Sequence, residues 1–241
     1  MTYTTQVTTE TVTLSGGSGN DTLTGNTGDD VITGGAGNDT LSLGGAGGND
    51  HIDGGAGDDA ITVAGVTKDD TIAGGEGTDT LTINTALAYS ATTGVNNAAN
   101  VSGFETLDVE TSLSQDMTPL SGITSLTVGA GDTATLTKVA GITSVTLKAG
   151  ASASADLTLA TDGTADDLSV TLGSDVTQTA STGTSLDAVE YETMTIDSIG
   201  ADSNAVTVTA DALTGLTLTG SKNVTVTLSP DTGTTTLPLT T

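Results

Sequence analysis

Apolar and polar residues alternate through most of the chain. Runs such as VTVTA, LTLTG and VTVTL place valine or leucine at every second position, with threonine between them. This period of two is typical of β-strands that bury one face and expose the other. A long stretch with apolar residues at i, i+3 and i+4, which an amphipathic helix needs, is hard to find. The pattern therefore predicts an all-β protein.

A unit of about nine residues recurs seven times between residues 16 and 82. Each unit is a glycine-rich turn that closes on an aspartate, and an apolar residue follows two positions later. Repetition at a short fixed period predicts a solenoid in which each coil stacks on the next. The aspartates are Asp21, Asp30, Asp39, Asp50, Asp59, Asp70 and Asp79, and the apolar residues are Leu23, Ile32, Leu41, Ile52, Ile61, Ile72 and Leu81.

The turn chemistry favours calcium. Glycine accepts the positive φ of a tight turn and exposes its carbonyl, and aspartate adds a hard oxygen. Calcium takes six to eight oxygen ligands, which one turn cannot supply, so we expect each ion to bridge a turn and the turn two units later. The candidate ligands are the seven aspartates and the backbone carbonyls of Gly16, Gly17, Gly19, Gly34, Gly35, Gly37, Gly54, Gly55, Gly57, Gly74, Gly75 and Gly77.

Two units per coil predict two rows of aspartates. Asp21, Asp39, Asp59 and Asp79 should form the first edge, and Asp30, Asp50 and Asp70 the second edge. Three gaps plus two gaps between turns predict about five calcium ions. The second edge departs from the repeat, because its turns read GNTGDD, GAGGND and GVTKDD and Lys68 replaces a glycine. We therefore expect the sites that involve Asp70 to be weaker.

The repeat changes rather than ends at Thr82. The aspartates are 9, 9, 11, 9, 11 and 9 residues apart, and an insertion of two lengthens a strand without turning it inside out. A 19-residue repeat then follows in VSGFETLDV, LSGITSLTV and VAGITSVTL. This organisation predicts a leading strand or cap at 1–15, a calcium roll at 16–83, an inserted loop at 84–100 and a wider solenoid at 101–241. The predicted inward pairs are Leu41/Leu43, Ile61/Val63, Leu81/Ile83, Leu107/Val109, Leu126/Val128 and Val145/Leu147.

The net charge limits the classes of molecule that the protein could bind. The formal net charge is -26, with 30 acidic residues against four lysines, so the basic patch that nucleic acid or an anionic membrane needs is missing. There is no cysteine for a disulfide. No apolar run reaches the roughly 20 residues of a membrane span, and residues 1–14 lack the features of a cleaved signal. We expect export without a cleaved N-terminal signal and no membrane insertion.

Residues 16–82 resemble the RTX parallel β-roll, whose nonapeptide they repeat. The downstream GFETLDV and GITSLTV motifs, in a Thr/Ala/Gly-rich chain, resemble the RTX-type surface-layer (S-layer) proteins of Gram-negative bacteria. That resemblance implies a right-handed parallel β-solenoid, type I secretion, and calcium-dependent self-assembly into a lattice on the bacterial cell surface. The ragged ends read as edges of a larger chain, so we expect the surface anchor in a region outside this sequence.

Other functions leave weaker signals. His51 is the one histidine, so the HExxH motif of zinc proteases is missing, as is a GxSxG nucleophile elbow. The pair Asp166 and Asp167 lies in a Gly/Thr loop, typical of a surface turn or of further calcium sites with Asp162 and Asp202. We expect no enzyme activity. The open alternatives are an RTX adhesin or extender segment, the calcium-binding secretion domain of a type I-secreted exoprotein, and an ice-binding face of threonine rows.

Overall fold

A computed structural model describes residues 2–4, 9–45, 47–90, 92–148, 153–159, 166–173, 184–188, 190–199, 203–210, 212–228 and 239–240. Every regular element in these residues is a β-strand, and none of them forms a helix that could cross a membrane. Almost all strand pairs are parallel, so the predicted all-β parallel roll and solenoid is confirmed. The chain divides into two compact units, Met1–Asp108 with Pro119–Ile123, and Val109–Thr118 with Thr124–Thr241.

The first unit contains two parallel sheets. One has the order β1-β3-β5-β7-β9-β13, and the other has the order β12-β8-β6-β4-β2. The strands are β1 (Thr2–Thr4), β2 (Thr13–Ser18), β3 (Thr22–Thr24), β4 (Val31–Ala36), β5 (Thr40–Ser42), β6 (His51–Ala56), β7 (Ala60–Val63), β8 (Thr71–Glu76), β9 (Thr80–Ile83), β10 (Tyr89–Ser90), β11 (Val95–Asn96), β12 (Val101–Ser102) and β13 (Thr106–Val109).

The predicted apolar residue of each nonapeptide unit faces the inside of the roll. In one sheet Leu23 pairs with Leu41, and Leu41 pairs with Ile61. In the other sheet Ile32 pairs with Ile52, and Ile52 pairs with Ile72. All of these side chains are at most 1% exposed, so a thin apolar core runs between the sheets.

The strands lengthen at two of the three places that the spacing predicts, because β5 ends at Ser42, before Leu43. β3 and β5 have three residues each, whereas β7 and β9 have four. The second apolar residues Leu43, Val63 and Ile83 are buried beside the first. An insertion of two residues per unit thus adds one inward position to the sheet while it keeps the alternation.

Glycines fix the turns of the first edge, which are residues 16–21, 34–39, 54–59 and 74–79. The second and fourth positions of all four turns have positive φ, for example +107° at Gly55 and +98° at Gly17. A Cβ at Gly55 would lie closer than 3.0 Å to the Gly35 carbonyl oxygen of the preceding coil. A Cβ at Gly17, in the first turn, would meet nothing within 4 Å.

Gly55→Ala should therefore destabilise the roll more than Gly17→Ala. Both variants place alanine at an unfavourable positive φ, which costs about 1 to 3 kcal/mol. Only Gly55→Ala also pushes two coils apart. Urea unfolding in saturating calcium measures the two losses in free energy of unfolding, and equal losses would contradict the close approach between coils.

Residues 84–100 carry a short antiparallel hairpin of β10 and β11. The chain then returns to the roll, where Val101 pairs with Ile72 and Ser102 pairs with Ala73 in parallel. The Asn97 side chain donates a 2.8 Å hydrogen bond to the Val66 carbonyl, which ties the hairpin to the neighbouring second-edge turn.

The second unit repeats the two-sheet plan with longer strands. One sheet has the order β15-β17-β19-β21-β23-β25, and the other has the order β14-β16-β18-β20-β22-β24. The strands are β14 (Leu113–Asp116), β15 (Ser125–Val128), β16 (Thr133–Val139), β17 (Ser144–Leu147), β18 (Ser154–Leu159), β19 (Asp167–Leu172), β20 (Thr184–Asp187), β21 (Thr193–Ser198), β22 (Asn204–Thr209), β23 (Gly215–Gly220), β24 (Val224–Leu228) and β25 (Leu239–Thr240).

The predicted downstream rungs are buried. Leu126 pairs with Val145 and Val128 pairs with Leu147, and all four side chains are 0% exposed. Val145 in turn pairs with Val170 of β19. The 19-residue spacing between Leu126 and Val145 therefore corresponds to one coil of the second unit, in which the intervening threonines face outward.

Candidate metal centre

The first-edge aspartates form a continuous ladder. The backbone N–H of Asp21 donates to Oδ1 of Asp39 at 2.8 Å, that of Asp39 to Asp59 at 2.7 Å, and that of Asp59 to Asp79 at 2.8 Å. All four aspartates are at most 4% exposed. The structure thus brings together the residues that the sequence assigns to this edge, one carboxylate per coil.

A second, exposed ladder runs beside the first. The backbone N–H of Asn38 donates to Oδ1 of Asn20, that of Asp58 to Asn38, and that of Thr78 to Asp58. These residues occupy the position directly before each first-edge aspartate. Their side chains hold the turns in register from outside, which explains why this position carries Asn or Asp in three of the four turns.

The inner ladder leaves carboxylate oxygens without a hydrogen bond. Oδ2 of Asp39, Asp59 and Asp79 is buried and has no hydrogen-bond partner. A buried anionic oxygen without a partner is costly, so such groups are normally paired or bind metal ions. Three of them in adjacent coils indicate that a cation belongs on this edge.

Backbone carbonyls converge on the same oxygens. A Cβ added to Gly34 would lie closer than 3.0 Å to both Oδ2 of Asp39 and the carbonyl oxygen of Gly54 in the next coil. Gly54 stands in the same relation to Asp59 and to the Gly74 carbonyl. The missing side chain therefore leaves a space that is lined by hard oxygen atoms from two coils, which is the donor type that calcium prefers.

A calcium site here needs backbone carbonyl oxygens as ligands, because side chains alone do not supply enough of them. Among the described residues, no three acidic or histidine side chains come together in a group that could hold a metal ion. The first-edge residues nevertheless fit calcium, because each coil contributes a carboxylate and glycine carbonyl oxygens. Asp21, Asp39, Asp59 and Asp79 with their glycines would hold the ions.

The second edge has a different chemistry. Oδ1 of Asp30 accepts the Val12 N–H at 3.0 Å, and its Oδ2 accepts the Asn26 N–H at 2.6 Å. Asp70 likewise accepts the N–H groups of Asp50 at 2.8 Å and Thr67 at 2.7 Å. The Oδ1 atoms thus form the same kind of ladder as on the first edge, whereas Oδ2 of Asp30 and Asp70, unlike the three first-edge Oδ2 atoms described above, accepts a backbone N–H.

Lys68, which the sequence singles out on this edge, lies on the surface. Its ammonium forms an ion pair with Asp69, and the two side chains are 71% and 52% exposed. A surface pair of this kind contributes little to stability.

The buried carboxylates carry unfavourable charge. Burial raises the pKa of the Asp50 carboxyl to about 6, against a hydrogen bond from the Asp30 N–H, and the charges of Asp70 and Asp30 raise it further. Burial also raises the pKa values of Asp59 and Asp79, to which neighbouring carboxylates add. When these carboxylates are ionised, like charges lie close together in a poorly hydrated part of the roll. A bound cation would relieve that repulsion.

The turns also match a known repeat. The family described as "RTX calcium-binding nonapeptide repeat (4 copies)" matches residues 15–46, 43–65 and 62–82. Residues 15–82 are RTX repeats. The predicted resemblance to this family is therefore confirmed for the roll, and the protein contains calcium-binding repeats. No curated protein and no solved structure matches the chain significantly.

One acidic residue that continues the ladder lies beyond the RTX repeats. The Asp79 N–H donates to Oε2 of Glu105 at 2.8 Å, in the way that each earlier aspartate donates to the next. The nonapeptide spacing predicts a first edge that ends at Asp79, and it does not identify Glu105. The order Gly103-Phe104-Glu105, a glycine and an acid in a shortened turn, is the signal for this residue.

The structure describes only some of the further calcium ligands that the sequence suggests downstream of the repeats. Asp162 and Asp202 lie outside the described residues. Asp166 and Asp167 line a groove of about 710 Å³ in the second unit. Asp167 accepts a hydrogen bond from the Thr193 hydroxyl, and the Tyr191 hydroxyl in the groove donates to the Ile142 carbonyl at 2.9 Å. Burial raises the pKa of Tyr191, with help from Asp166 and Glu190, so its proton is held firmly and serves structure.

Proposed function

We propose that this protein is a calcium-binding structural protein of the bacterial cell surface, without enzyme activity. The observation that carries the proposal is the row of buried Oδ2 atoms at Asp39, Asp59 and Asp79. Each faces a glycine carbonyl of the next coil, so one ion in each gap between first-edge turns would join two coils. Calcium then acts as a structural brace in a chain that has no cysteine.

The ions belong chiefly to the first edge. Its four turns leave three gaps, which gives about three ions between RTX turns. The second edge uses backbone N–H groups at Asp30 and Asp70 where the first edge has open oxygens. We therefore propose fewer ions in the repeats than the five that aspartate spacing alone suggests.

Assembly is the second part of the proposal. With a net charge of -26, the chain should stay soluble and unfolded where calcium is scarce, as passage through a type I secretion channel requires. Outside the cell, calcium would fold the roll and reduce repulsion between copies. The parallel solenoid of the second unit, with its outward threonines, would then offer strand faces to neighbouring molecules in an S-layer.

Calcium should therefore drive both folding and association. Light scattering of the intact chain during a calcium titration should show particle growth once folding, followed by circular dichroism, is complete. Magnesium at the same ionic strength is the control and should produce neither change. A folded monomer at high protein concentration in millimolar calcium would contradict assembly and would favour the alternative, a calcium-stiffened extender segment of an RTX adhesin.

A further inference from the structure

We infer a further calcium site beyond the RTX repeats, between the turn that closes on Asp79 and the short turn Gly103–Glu105. The inference rests on the proposed calcium binding at the first edge. It assigns Asp79, Gly103 and Glu105 as ligands of an additional ion at the end of the ladder.

The backbone places the short turn in register with the last RTX turn. Val101 pairs with Ile72 and Ser102 pairs with Ala73, so Gly103 follows at the level of Gly74. The N–H groups of Glu105 and Thr106 then donate to the Asp79 carbonyl at 3.1 and 3.0 Å. Three residues, 103–105, thus cover the distance that the six residues 74–79 cover in the preceding coil.

Glutamate takes the place of aspartate in this shorter turn. Oε2 of Glu105 accepts the Asp79 N–H at 2.8 Å, the distance at which Asp79 itself accepts the Asp59 N–H. The extra methylene of glutamate lets its carboxylate reach the ladder from a turn that has lost three residues. Phe104 is only 3% exposed and anchors the turn in the core.

The donor atoms repeat those of the first-edge gaps. Asp79 is 0% exposed, and its Oδ2 is buried without a hydrogen-bond partner. A Cβ at Gly74 would lie closer than 3.0 Å to both the Gly103 carbonyl oxygen and this Oδ2. Asp39 with the Gly54 carbonyl, and Asp59 with the Gly74 carbonyl, present the same pair of oxygens. The gap after Asp79 is therefore built like the gaps inside the repeats.

A similar hydrogen-bonded corner, between Asp166 and Glu192, shows which part of the arrangement at Asp79 is structural and which part belongs to the proposed calcium site. The Asp166 N–H donates to Oε2 of Glu192 at 2.6 Å, and Glu192 N–H donates back to the Asp166 carbonyl at 3.0 Å. Tyr191 stands where Phe104 stands, but Glu190 occupies the position of Gly103. The Asp-to-Glu hydrogen bond is thus a recurring corner, and the glycine carbonyl is what distinguishes the site at Asp79.

The matched variants Glu105→Gln and Glu192→Gln test the assignment. Each amide oxygen can still accept the aspartate N–H, so the corners should persist, while each variant loses one negative charge. Isothermal titration calorimetry measures the number of calcium ions that the full chain binds. This number should fall by one in E105Q and should equal the wild-type number in E192Q. An E105Q chain that binds the wild-type number of ions with wild-type affinity overturns the inference.

Two further outcomes are separable. A wild-type chain that binds no calcium overturns the proposed function itself, whereas an E105Q chain that keeps the wild-type number of ions overturns only the further site. If E105Q does not fold in calcium by circular dichroism, wild-type crystals grown in calcium decide. An anomalous calcium peak between Asp79 and Glu105 supports the site, and its absence at an otherwise occupied first edge overturns it.

Discussion

Removal of calcium with a chelator should abolish most of the β-structure of residues 16–82 at neutral pH. Without ions, the Oδ2 atoms of Asp39, Asp59 and Asp79 are buried unpaired anions stacked in adjacent coils. The core that opposes this repulsion is one or two apolar side chains wide per strand. Far-UV circular dichroism of the intact chain in EGTA and in calcium measures the loss. Refolding on return of calcium, but not of magnesium, is the control.

Acid should replace part of the calcium effect in the chelated chain. The pKa values of Asp50, Asp59 and Asp79 are raised on folding, so these groups favour the folded roll when protonated. Their contribution is complete below the ordinary pKa of 3.8 and is lost as pH rises, for Asp50 through about 6. β-structure in EGTA should therefore increase between pH 7 and pH 4. A fully folded roll in EGTA at pH 7 would contradict the structural role of calcium.

Asp59→Asn should weaken calcium binding far more than Asp70→Asn. Asp59 borders two first-edge gaps, and the loss of its charge removes a ligand from both. We expect the calcium midpoint of folding to rise about tenfold or more, because carboxylate charge sets calcium affinity. Both oxygens of Asp70 already accept backbone N–H groups, so its midpoint should stay within about twofold of wild type.

Stability at saturating calcium separates the two roles of these residues. Asp70→Asn turns an acceptor into an amide donor that faces the N–H of Thr67 or Asp50, which should cost about 1 to 3 kcal/mol at every calcium concentration. Asp59→Asn should lose stability mainly at low calcium. Equal shifts of the calcium midpoint in the two variants would mean that both edges bind ions alike.

Much of the roll could be predicted because its rules are local. An aspartate every 18 to 20 residues on one edge, with an apolar residue two places later, fixes the ladder and the inward face together. The paired insertions likewise predict the inward positions of Leu43 and Val63, since the strand period is two.

The chemistry of the second edge depends on backbone conformation that spacing does not specify. Asn26 replaces the glycine whose positive φ opens the first-edge turns, and its N–H turns toward Asp30 instead. The sequence marks such turns as degenerate but does not say which donors close them. The spacing of the repeats does not identify Glu105, because its turn is three residues shorter than the repeat turns. The related FETLDV and YETMTI segments, which form similar corners, were the available signal.

The position of the ions tests the account most directly. Crystals of the chain grown in calcium, with anomalous scattering collected to locate calcium, should show peaks in the gaps between first-edge turns, including those beside Oδ2 of Asp39 and Asp59, and a further peak beside Oδ2 of Asp79. The oxygens of Asp30 and Asp70 should instead keep their N–H partners and have no peak. Peaks of equal strength along both edges, or on the second edge alone, would contradict the assignment of calcium to the first edge.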